Sequence, residues 1–168
     1  MNDLTVSTIS VGLGIVGLTM VTGLFWGWAF SALPGLRRVD DHTYVTSMQS
    51  INRAILNPVF LAAFVGTALV LAVAATITFV AGDTRRAWWI TAAAVTYTIG
   101  VFGVTVAGNV PLNDALDAFD PAGADEAAFA AAREAYEGPW NRLHAIRSAL
   151  GVLAVLFAAT AALTPAEA

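Results

Sequence analysis

The stretch Met48-Gln49-Ser50-Ile51-Asn52-Arg53-Ala54-Ile55-Leu56-Asn57-Pro58 joins a polar-faced helix to a long uncharged one. In helical register Gln49, Arg53 and Asn57 are spaced four apart and share a face, while Tyr44, Met48, Ile51 and Ile55 form the apolar side. Asn57 before Pro58 reads as an N-cap followed by proline at the first helical position, where the missing N–H costs nothing. The helix that begins there meets no charge until Asp83, and roughly 20 apolar residues suffice to cross a bilayer. A polar helix therefore feeds a membrane helix at its mouth.

The rest of the chain repeats that pattern. Of its 168 residues 58% are hydrophobic and 12% charged, against about a quarter charged in a soluble domain. The expectation is an all-α, four-helix transmembrane bundle, one integral membrane domain with spans near 8–33, 57–81, 87–110 and 144–164. A short amphipathic helix is expected in each of the two loops on one face: the cassette above, capped by Asp40 or Asp41, and a surface helix over 124–137. Pro34-Gly35 is expected to break the first span, Pro111 to kink or end the third, and Gly138-Pro139 to stop the surface helix. Met1-Asn2-Asp3 lacks the positive region of a cleaved signal peptide. Gly12, Gly14 and Gly17 match a dinucleotide fingerprint without the strand and acidic residue that would give it meaning. Gly23 and Gly27 suit close helix packing in lipid.

Composition also excludes chemistry. The absence of cysteine removes disulfides and thiolate metal sites. A net charge of −4 with no basic face excludes nucleic acid as a partner. His42 and His144 come with no second ligand pattern, so no metal site and no haem is expected. An even number of spans places loops 35–57 and 109–140 on one side of the bilayer, which gathers most polar residues there. Arginine distribution leans towards cytoplasmic termini, and the expected home is a bacterial cytoplasmic membrane.

Arg53 and Arg147 are costly in a bilayer and read either as clamps for an anion or as snorkelling helix-end residues. His144 shares a helical surface with Asn141 and Arg147 and has the intrinsic acidity of a general base; the alternative is a hydrogen-bonded structural histidine. Gln49, Asn52, Asn57, Asn109, Asn113 and Asn141 read as a polar, ligand-binding pocket, or singly as caps and interhelical hydrogen bonds. Trp26 and Trp140 either wall that pocket or sit at the membrane interface.

Four segments carry a family resemblance: Gly23-Leu24-Phe25-Trp26-Gly27, the 48–58 cassette, Asn109-Val110-Pro111-Leu112-Asn113, and Trp140-Asn141-Arg142 with His144 and Arg147. Together they resemble the anthrone oxygenase-like family of four-helix membrane proteins. The resemblance implies oxidation of an anthrone- or phenol-like apolar aromatic by O2, without a cofactor. His144 would be the base, while Arg53, Arg147, Asn109 and Asn141 would stabilise the oxyanion. The competing readings are a non-catalytic membrane subunit that binds a quinone or lipid, and a transporter, which with four spans would have to act as a homo-oligomer.

Overall fold

The computed structural model describes residues 3–165. The described residues form five helices. α1 runs Asp3–Gly27, passes through a π-helical turn at Trp28–Ala32 and ends in Leu33–Leu36; α2 is Asp41–Ala54 and α3 is Pro58–Val80. α4 comprises Thr84–Val95, the π-helical stretches Thr96–Gly103 and Thr105–Asn109, and Val110–Asp117; α5 is Glu126–Leu163. α1, α3, α4 and α5 are each long and apolar enough to cross a membrane. The expected all-α bundle of four such helices is what the chain builds, with α2 as the amphipathic helix of the first loop.

The caps follow the sequence. Asp40 accepts from the Thr43 backbone N–H at 2.9 Å and starts α2; that N–H, then the Thr43 hydroxyl, hold its carboxyl below the usual range. Asn57 accepts from Val59 and Phe60 N–H at 3.1 and 3.0 Å and starts α3 ahead of Pro58.

The prolines behave differently from expectation. Pro34 and Pro111 neither break nor end their helices. Each lies two residues past a π-helical stretch, and such local widening lets a membrane helix accommodate a proline. Nor does Pro139 stop a separate surface helix, because the expected 124–137 segment is the first part of α5, a single helix of 38 residues. Pro139 and Ala135 are both exposed, so the carbonyl left without its N–H partner lies on the outer face. Arg133 fixes this extension: it pairs with Glu137 at 2.7 Å and Asp41 at 3.0 Å, and donates to the Val39 carbonyl at 2.9 Å.

Helix contacts also rearrange the glycine reading. A Cβ on Gly23 or Gly27 would meet nothing within 4 Å, so no helix among the described residues of this chain packs closely against that pair. Gly14 and Gly17 do: a Cβ there would run into Leu71 and Thr67 of α3. Two apolar clusters result. One fills the bundle around Leu18, Leu71, Ile90 and Tyr97; the other, at the loop end, holds Tyr44, Met48, Phe129 and Trp140.

Candidate functional site

The polar site lies where those two clusters meet. Trp140, His144 and Arg147 are spaced four and three along α5, hence on one face, and all three are buried. Trp140 stacks on His144 with ring centres 5.0 Å apart and planes 9° from parallel. His144 Nε2 lies 3.0 Å from the Phe25 carbonyl of α1, a contact in which the ring N–H donates. That fixes the tautomer and leaves Nδ1 as acceptor, where it receives Arg147 Nε at 3.3 Å and Nη2 at 3.1 Å.

Arg147 also donates from Nη1 to Thr105 Oγ1 at 3.1 Å. Its guanidinium lies 4.3 Å from the centre of the Phe25 ring and 5.2 Å from that of Trp140. Of the five N–H groups of an arginine, two are left over. Among the described residues no carboxylate forms an ion pair with it. A buried cation without a counter-charge is expensive, and the cavity beside it is correspondingly suited to an anionic or strongly polarised oxygen.

That cavity, about 100 Å³, is bounded by Phe25 and Trp28 of α1, Ile51 and Asn52 of α2, Phe60 of α3, Thr105 and Asn113 of α4, and Trp140, His144 and Arg147 of α5. Leu24, Leu56 and Val110, all outward-facing apolar residues, stand at its mouth. Asn113 Oδ1 receives both the Trp140 indole N–H at 2.8 Å and the Tyr136 hydroxyl at 2.9 Å, and Asn52 Nδ2 donates to that hydroxyl at 3.1 Å. Asn113 thereby sets the plane of the indole on which His144 rests. Among the described residues no group of three or more histidine or carboxylate side chains is placed to hold a metal.

The structure thus gathers Asn52, Asn113, Trp140, His144 and Arg147 at one cavity. Asn109 stands behind it, fully buried, donating to the Trp140 carbonyl at 3.3 Å, and Asn141 has a buried, unpartnered Oδ1 outside the cavity wall. The remaining candidates lie elsewhere. Gln49 binds the Leu116 and Phe119 carbonyls, both at 2.8 Å, and closes the end of α4. Arg53 pairs with Asp117 at 2.6 Å on the exposed surface, and Asn57 is a cap. Trp26 lies outside against Phe30, while Trp28, on the other side of α1, lines the cavity.

A model of the anthrone oxygenase family matches residues 48–157. The chain belongs to that family. No curated protein and no solved structure matches it. The anthrone oxygenase match runs from within α2 into α5 and so contains Asn52, Thr105, Asn113, Trp140, His144 and Arg147. The α1 wall of the cavity, Phe25 and Trp28, lies outside it. Sequence reasoning missed Trp28, Thr105 and Tyr136; a tryptophan two residues from another gives no sign of which one faces inwards.

Proposed function

We propose that this protein is an integral membrane oxygenase that oxidises an anthrone- or phenol-like aromatic with O2, binding the substrate as its oxyanion against Arg147. One observation carries the reading: a buried guanidinium, with no carboxylate partner among the described residues and flanked by aromatic rings, borders a cavity whose mouth is apolar. Removing a proton from the doubly benzylic carbon of an anthrone gives an aromatic anion with its charge on oxygen, which Arg147 would stabilise. The anion passes an electron to O2, and recombination of the radical with superoxide gives a hydroperoxide anion, which is then protonated. Loss of water, taking the remaining hydrogen from that carbon, leaves the carbonyl of the quinone. One substrate and one O2 thus yield one quinone and one water. At its present size the cavity admits the oxygen-bearing end of a tricyclic ligand and leaves the far ring among Leu24, Leu56 and Val110.

His144 has two parts in this scheme. In the free protein its Nδ1 seats Arg147, so its lone pair is taken. It becomes available as a base only when a ligand oxygen draws the guanidinium away.

The test is anthrone oxidation by detergent-purified protein, aerobic against anaerobic. Arg147→Gln should lose at least 100-fold in rate, the scale on which a single oxyanion donor acts. Equal turnover in wild type and variant would contradict the proposal. Tight binding of a quinone with no turnover in either would favour the non-catalytic subunit, for which His144 with both nitrogens engaged is the supporting observation.

A further inference from the structure

We propose that the indole N–H of Trp28 is a second hydrogen-bond donor to the ligand beside Arg147, so that the cavity selects planar aromatics carrying two acceptor oxygens. This rests on reading the cavity as the ligand site. Trp28 lines the cavity together with Arg147, and its Nε1 is buried without a hydrogen-bond partner. Buried indole N–H groups normally find an acceptor. Its neighbour Trp140 does so on Asn113, and the two indole rings are 6.5 Å apart.

The other polar groups at the wall are largely engaged. His144 uses both nitrogens, Asn113 Oδ1 takes two donors, and Asn52 Nδ2 is on Tyr136. Beside the Asn113 amide N–H groups and the Asn52 amide oxygen, what remains for a ligand is the spare N–H groups of Arg147 and the buried, unpartnered indole N–H of Trp28. The former suits an oxyanion or carbonyl, the latter a second, neutral oxygen. Trp28 rather than Trp26 is available because Trp26 lies exposed on the outer side of α1 against Phe30; α1 changes from α to π at residue 28, and such turns recur at functional positions.

The experiment uses full-length protein in detergent with two-ring probes: 1-naphthol, with one oxygen, and the isomeric dihydroxynaphthalenes, with two. The chain has five tryptophans, and the indole resonance that disappears in Trp28→Phe identifies Trp28 in nitrogen-15 spectra. At least one diol is expected to bind wild type about 5- to 10-fold more tightly than 1-naphthol, the scale of one neutral hydrogen bond. That diol should move the Trp28 indole resonance downfield. Trp28→Phe should abolish the diol's advantage over 1-naphthol, and its retained binding of 1-naphthol shows that the variant is folded. The inference is overturned if no diol outbinds 1-naphthol, if the variant keeps the preference, or if it weakens all probes equally through lost ring packing. Unchanged 1-naphthol affinity in Arg147→Gln would instead overturn the site reading, a separate failure.

Discussion

Arg53 carries its guanidinium to an exposed carboxylate, whereas Arg147 buries the same group against two aromatic rings and, among the described residues, pairs with no carboxylate. The predictions diverge accordingly. Exposed ion pairs contribute about 0–1 kcal/mol, so Arg53→Gln should leave ligand binding intact and shift denaturant unfolding by no more than that. Asn57→Ala removes an N-cap and should cost about 1 kcal/mol in the same unfolding measurement, again without touching binding. The sequence flagged all three residues as candidates for one pocket. It could rank them only by type and helical spacing, and spacing does not say which neighbour a face meets. His144 and Arg147 were legible as a pair because residues three apart on one helix share a surface. Their coupling to Phe25, more than a hundred residues away, was not.

Among the elements, α5 and α4 set the cavity's shape. Pro34 and Pro139 were expected to break or stop their helices and Pro111 to kink or end its own; none of the three ends its helix, for two different reasons. Pro139 removes a hydrogen bond on an exposed face, so Pro139→Ala restores it and should stabilise the protein by up to about 3 kcal/mol in thermal or denaturant unfolding. Pro111 follows a π-helical stretch that already accommodates its ring, and Pro111→Ala should gain distinctly less. The close approach of α4 to α5 depends on Gly108, where a Cβ would meet Leu143 at 2.8 Å. Gly108→Val should therefore overpack that seam and cost about 1–3 kcal/mol in the same unfolding assay. Helix existence was readable from uncharged length and caps. The π turns were not, because no residue type marks a change of hydrogen-bond register.

For the whole molecule, the four helices are long and apolar enough to cross a membrane, and four crossings would put both loops on one side. The chain has no cysteine, so single cysteines at the exposed positions Ser50, Ala122 and Thr84 test this with a membrane-impermeant thiol reagent on sealed vesicles. Ser50 and Ala122 should label together and Thr84 from the opposite side; labelling of Ser50 and Ala122 from different sides would refute the arrangement. In the proposed site Arg147 holds an oxyanion, and colour reports that directly. A hydroxyanthraquinone changes its visible absorbance when its phenol ionises. Titrated with pH, the dye bound to wild-type protein should ionise at lower pH than in protein-free micelles, because the guanidinium favours the anion, and Arg147→Gln should abolish the shift. Dye bound to wild type that ionises no more readily than in micelles, or that keeps its shift in Arg147→Gln, would contradict the account.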